Sequence, residues 1–252
     1  RNGIWAYTNE RLCKDDLITV QIVENECSDN IAPVNLPLDI AYEDDDIIVI
    51  NKPFDMPAHP SAGNHDNTLA NALMYYYGSQ DKPFVYRCIN RLDRDTTGLT
   101  IVAKHALAGG ILGNAVAKRA IHRTYYAVCS GCTPACMRIS APIARKDAST
   151  IERCVDFKRG ENAVTDFIRI KYNPDNNLSL VKLRLLTGRT HQIRVHMKYI
   201  GFPLIGDFLY NPDYTYISRQ ALHSGRLVFT HPVTGQKMNL ISDIPSDMKS
   251  LF

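Results

Sequence analysis

Leu99 to Ala103 is an apolar run, rich in β-branched residues and opened by Gly98, and such a run reads as a buried strand. The segment in front of it is then a loop held against a core strand, the kind of place where chemistry concentrates. That loop runs Cys88-Ile89-Asn90-Arg91-Leu92-Asp93-Arg94-Asp95-Thr96-Thr97. Asp93 follows Arg91 by two positions and precedes a second carboxylate, Asp95, by two more. On composition alone this is a solvated turn capped by Asp95 or Thr96.

The pattern carries more than its composition. Arg91-Leu92-Asp93, then Thr96-Thr97-Gly98 and an apolar strand, resembles the catalytic signature of the RluA-type pseudouridine synthases, which isomerise uridine to pseudouridine in RNA. Asn90 stands where that family usually has histidine, and an asparagine amide can still hold a loop by hydrogen bonds. Two further stretches extend the likeness. Arg123, Tyr125 and Ala127, in the apolar strand 121–129, are similar to the family's second motif. In a strand Tyr125 and Tyr126 face opposite ways, so one of them can point at Asp93, and the motif selects Tyr125. The third stretch is Leu183 to His196, with Arg189 and Arg194, continued by Pro203-Leu204-Ile205-Gly206-Asp207.

The resemblance covers residues 38–243. It implies an α/β domain of the α+β type, a mixed and mostly antiparallel sheet with helices and loops on its faces and an active cleft across it. It also implies Asp93 as the catalytic carboxylate, Tyr125 beside it, Arg194 as the ion-pair partner of Asp93, and Arg91 as the residue that fills the gap left by a flipped base. Arg189, Asn90, Thr96 and Lys52 are the further candidates for contact with RNA. No metal or cofactor is called for.

At 252 residues the chain can bury one full core with a small module attached. A net charge of +3 is too small to argue nucleic-acid binding, so any contact with RNA must come from local patches. No apolar run approaches the ~20 residues that span a bilayer, and no signal peptide opens the chain, so a cytosolic protein is expected; the resemblance implies that it acts on ribosomal or transfer RNA, and a monomer is expected. Seven scattered cysteines fit reduced thiols. Cys129, Cys132 and Cys136, with His122 nearby, have ligand types that zinc accepts, but the second Cys-x-x-Cys pair of strong zinc patterns is missing.

Residues 1–25, with an expected strand at Leu17–Val23, read as the remnant of an S4-like RNA-binding module or as a plain β-hairpin. The chain is expected to have been trimmed ahead of Arg1. Residues 26–37 read as a linker and 38–252 as the catalytic domain. Within it, strands at 38–42 and 47–50 flank a solvated acidic turn. Helices are expected at 67–77, capped by Asn67-Thr68, at 105–119 despite three glycines, and from a Thr190 cap to Tyr199. On the last, His191, Arg194, Val195 and Lys198 share a face. Residues 138–177 read as β-structure with basic loops, and 222–240 as a hairpin at the sheet's edge.

Isomerising uridine means breaking the bond from C1′ to N1, turning the uracil and bonding C1′ to C5. A carboxylate can serve as nucleophile at C6 or at C1′, or assist an elimination, and the sequence leaves these routes open. Two rivals remain. A non-catalytic RNA-binding or ribosome-assembly factor would not need Asp93, Tyr125 and Arg194 together. A glycoside or nucleoside hydrolase with an aspartate nucleophile should show a paired acid at suitable distance; Asp95, the candidate, is only two residues from Asp93, and nothing in the family pattern gives it that role.

Overall fold

Thr97 to Ala103 form a strand in which every residue is buried. The computed structural model, which describes residues 1–21, 24, 26–147 and 151–252, shows why an apolar strand is needed there. Leu99 and Ile101 pack on one face with Ala108 and Leu112 of a helix, and Val102 packs on the other with Leu69, Leu73 and Tyr77 of a second helix. A strand covered on both faces has no solvent side on which to place polar residues.

In chain order the elements are β1 (Ile40–Glu43), β2 (Ile47–Lys52), α1 (Leu69–Gly78), β3 (Arg87–Cys88), β4 (Thr97–Ala103), α2 (Ala106–Ala117), β5 (His122–Ser130) and β6 (Cys136–Ser140). Then come β7 (Ile143–Arg145), β8 (Arg153–Val155), β9 (Val164–Asn173), β10 (Leu178–Leu185), α3 (Gln192–Tyr199), β11 (Leu222–Thr230), β12 (Lys237–Ile241) and α4 (Ser246–Lys249). The main sheet runs β1-β2-β4-β11-β5-β10-β9-β6, with β3 added on β4 and β12 on β11. Its pairings are antiparallel except β4 with β11, the mixed and mostly antiparallel sheet that was expected. A small ribbon, β7 with β8, stands apart.

The first strand of the C-terminal hairpin is not at the edge, whereas β12 pairs with β11 alone. β11 lies in the middle of the sheet, parallel to β4 through His223 opposite Thr97 and Ser224 opposite Gly98, and antiparallel to β5 on its other side. Gly98 makes this possible: at φ 106° a Cβ there would collide with the backbone of Ser224. The first half of β11 is buried, as an edge strand would not be.

Local signals set most of the helices. Thr68 caps α1 and exchanges bonds with Asn71 as a capping box. His105 caps α2, which is continuous through its glycines; Gly109 lies against the Arg87 side chain, while Gly110 and Gly113 face open space. For α3 the expected Thr190 cap is wrong. The cap position is His191, left-handed at φ 56° and without a side-chain capping bond. Gln192 supplies the order instead: its side-chain oxygen accepts from the Arg189 amide at 2.9 Å and from Thr187 Oγ1 at 2.8 Å, and its nitrogen donates to the Val164 carbonyl at 3.0 Å.

Residues 1–21 contain no strand, so the described part of the expected Leu17–Val23 strand, and of a hairpin built on it, is not formed; Ile22, Val23 and Asn25 lie outside the described residues. Much of the expected linker packs on the domain. Asn71 Nδ2 donates to the Ala32 carbonyl at 2.7 Å, and Ile31 and Leu36 cover the α1 core. The acidic turn is also partly buried. Asp44 accepts the amides of Asp46 and Ile47 and the Tyr42 hydroxyl.

Candidate active site

The loop that carries Asp93 is held from behind by polar groups. Asn90 is buried; its Oδ1 accepts the Ile101 amide at 2.8 Å and its carbonyl accepts Thr100 Oγ1 at 2.6 Å. Thr96 Oγ1 accepts from Gln220 Nε2 at 2.6 Å, and the Thr96 amide donates to the Asp93 carbonyl. Lys52 is buried beneath the loop, with Nζ donating to the carbonyls of Pro53 (2.6 Å) and Arg94 (2.8 Å). Burial pushes its ammonium down to about 7, against the pull of Asp95 and Asp93. Placed this way Lys52 cannot reach RNA, which corrects the expectation that it faces a substrate. Asn90 and Thr96 likewise fasten the loop to the sheet.

With the loop fixed, Asp93 is set at the floor of a cleft of about 1010 Å³. Arg194, buried on α3, donates from Nη1 to Asp93 Oδ2 at 2.9 Å. Its Nε and Nη2 both donate to Asp207, at 2.7 Å each, and Asp207 is fully buried. Asp207 is held in turn by the amides of Leu209 and Tyr210. The guanidinium also lies against the rings of Tyr210 (4.9 Å) and Phe208 (5.4 Å). Burial works against its charge, and Asp207 and Asp93 outweigh burial, so its pKa is raised and it stays a cation.

Tyr125 lines the same cleft from β5 and is buried, whereas Tyr126 faces the other side of the sheet, against Gly225. Burial raises the Tyr125 pKa; Asp93 adds to that and Arg123 opposes it, so the resting group is a neutral phenol. Asp95, the candidate second acid of a hydrolase, is buried and gripped by Arg94 Nε and Nη2, both at 3.0 Å. It does not line the cleft.

The rim is basic. Among the described residues seven arginines and a single carboxylate, Asp93, line the cleft, so a chain of net charge +3 concentrates positive charge where a polyanion would enter. Arg91 is exposed on the loop next to Asp93, and Arg189 is exposed at the opposite wall, paired with Glu161.

A model of the RNA pseudouridylate synthase family matches residues 46–199, a span that holds Asp93, Tyr125 and Arg194. The chain belongs to that family. Across its whole length it is 41% identical to the uncharacterized RNA pseudouridine synthase YjbO of Bacillus subtilis, covering 88% of that protein. It is 41% identical to ribosomal large subunit pseudouridine synthase D of Haemophilus influenzae, with 92% of this chain and 75% of that one aligned. Among solved structures it resembles human RNA pseudouridylate synthase domain containing 1, at a TM-score of 0.69 and 26% identity over 82% of this chain and 83% of the other.

Family membership places the chain among enzymes that isomerise uridine in RNA, and the geometry adds what motif reading missed. Asp207 was legible only as the end of a motif, and its role as the buried counter-charge of Arg194 had no local signal. Phe208 and Tyr210, whose rings lie against that arginine, follow Asp207 within three residues. The cysteine run does not gather: Cys129 is buried in β5, and Cys132 and Cys136 are exposed. The group of three donors within reach of one ion among the described residues is Asp44, Asp46 and His231, without a cysteine. There His231 Nδ1 accepts the amides of Val233 and Thr234 and Nε2 lies 2.8 Å from Asp44, a staple between two turns.

Proposed function

We propose that the chain isomerises uridine to pseudouridine in large-subunit ribosomal RNA, with Asp93 as the reacting carboxylate. The observation that carries the reading is the Asp93–Arg194–Asp207 chain at the floor of an arginine-lined cleft. A carboxylate that must remain ionised in a pocket emptied of water needs a fixed cation beside it. Arg194 is such a cation, already oriented by Asp207 so that no reorganisation is needed when the base arrives. Asp93 then acts on C6 or C1′, or assists an elimination, and C1′ is released from N1 and rejoined at C5. Tyr125, a neutral phenol, serves as a hydrogen-bond donor to the base or shares in handling the C5 proton.

Arg91 has the position needed to fill the stack when the uridine flips out. Arg189 and the other rim arginines would hold the phosphates. Relatives named ribosomal large subunit pseudouridine synthase D support that RNA as the substrate ahead of transfer RNA. Asp93, Tyr125 and Arg194 come from one chain, which supports action as a monomer, and ribosomal RNA as substrate favours the cytoplasm.

Mapping pseudouridines across total RNA from cells with and without the gene tests the proposal. One or a few ribosomal sites should vanish on deletion and return with the wild-type gene, not with Asp93→Asn. An unchanged map, or restoration by Asp93→Asn, would overturn it.

A further inference from the structure

His191 lines the cleft, and its backbone is held left-handed at the start of a helix, at φ 56°. Such strain persists only where surrounding structure enforces it, and it gathers at functional sites. Its ring nitrogens have distinct neighbours. Nδ1 is 2.9 Å from the Tyr210 hydroxyl, and Nε2 is 3.9 Å from Asp93 Oδ2.

The protons on this chain can be assigned. The Tyr210 oxygen accepts the Arg153 amide at 2.9 Å, and the acceptor available to its own proton is His191 Nδ1. Burial pushes the Tyr210 phenol up to about 12, so it keeps that proton to donate. Nδ1 therefore accepts, and the ring proton of a neutral His191 sits on Nε2. Burial also lowers the His191 pKa, with Asp93 opposing and Arg194 reinforcing, which favours the neutral ring. Its Nε2–H faces the same carboxylate oxygen that Arg194 engages.

We propose that His191 is a positioning residue for the isomerisation: with its tautomer set by Tyr210, it donates Nε2–H to Asp93 Oδ2 in the RNA complex and, with Arg194, leaves Oδ1 to the nucleoside. This rests on Asp93 being the reacting carboxylate. At 3.9 Å the contact is too long for a hydrogen bond in the free site, and catalytic contacts of this kind tighten when substrate is bound. Two donors converging on one oxygen fix the carboxylate plane, which the single arginine bond leaves free to turn about that oxygen.

The first test needs no turnover. In ¹⁵N-labelled free protein, long-range proton–nitrogen correlation should show His191 as the Nε2–H tautomer, and Tyr210→Phe, which keeps the ring against Arg194, should lose that preference. An Nδ1–H tautomer in the wild type overturns the relay. The second test uses an RNA that the wild type demonstrably modifies. There His191→Ala and Tyr210→Phe should lower kcat by roughly 10- to 100-fold, the range for a hydrogen bond to a charged group, with KM little changed. His191→Gln, whose amide can donate toward the same oxygen, should recover part of the loss. Wild-type kcat in folded Ala and Phe variants, or a Gln variant no better than Ala, removes the role. Should His191→Ala fail to fold, Tyr210→Phe and the tautomer decide. Absence of pseudouridine formation by the wild type would instead defeat the reading of Asp93, with the tautomer still reporting on the relay.

Discussion

Arg189 and Arg194 belong to one motif and one short stretch of chain, yet the fold uses them in opposite ways. Arg194 spends its guanidinium inside the protein, on Asp93, on both oxygens of Asp207 and against two aromatic rings. Arg189 is exposed at the cleft wall, where it pairs with Glu161 and donates to the Asn162 carbonyl at 3.2 Å. A surface pair of that kind contributes about 0–1 kcal/mol and is open to exchange for a phosphate. The lesson is that burial, not residue type or motif position, separates an arginine that holds Asp93 from one left exposed at the cleft wall.

Replacing Arg194 should have the largest effect. Arg194→Met is expected to abolish turnover and to cost about 3–5 kcal/mol of stability, because Asp207 is left charged and without solvent. Adding Asp207→Asn should restore more of that loss than adding Asp93→Asn, since Asp93 keeps 28% of its side chain in solvent and Asp207 none. Denaturant melts of the single and both double variants check this; equal recovery would make the two carboxylates equivalent and blunt the contrast. Asp93→Asn alone should reduce product below detection in the mapping assay while RNA affinity and melting temperature hardly move. A large loss of stability would instead make Asp93 a structural partner of Arg194.

Buried and exposed groups should also part company in acid. His223, in β11 between Thr97 and Ser242, is held down to about 4, chiefly by burial. Between pH 6.5 and 4 the unfolded chain takes up a proton that the native protein refuses, so stability falls as pH drops through that window. The total is on the order of 3 kcal/mol. His223→Gln should flatten the decline between those limits, and an unchanged slope would assign the acid sensitivity elsewhere. The smallest effect is expected for Arg189→Gln: an unchanged melting temperature, weaker RNA binding, and a salt dependence shallower by about one counterion. A fall in melting temperature would place Arg189 with Arg194 as a structural group.

What the sequence disclosed and what it withheld divide along the same line. β4 and its loop were legible because an apolar run beside a dense polar motif is a local pattern. Pairing between Arg194 and Asp93 was legible only through resemblance, since 101 residues separate them. Lys52 looked like an RNA contact because lysine in a loop is normally exposed; one of its carbonyl acceptors is the adjacent Pro53, but the other, Arg94, lies 42 residues on and meets it only in the fold. Thr190 offered a better cap by type than His191, and a left-handed backbone at histidine leaves no trace in local propensity. β11 was misplaced to the edge because hairpin signals locate a turn and say nothing about which strand the hairpin pairs with.

That central position of β11 has a consequence for how the molecule is made. Thr97 and His223, bonded across the β4–β11 junction at 2.9 Å, are 126 residues apart in the chain. At 5–20 residues per second a ribosome needs about 6–25 s to add the residues between them. For that interval the loop that carries Asp93 has been synthesised but the strand that backs it has not, and the apolar β4 lacks one of its neighbours. Contacts of such range make for slow folding, and the site is among the last features to be completed. A nascent chain arrested before Leu222 carries the Asp93 motif without the strand that seats it.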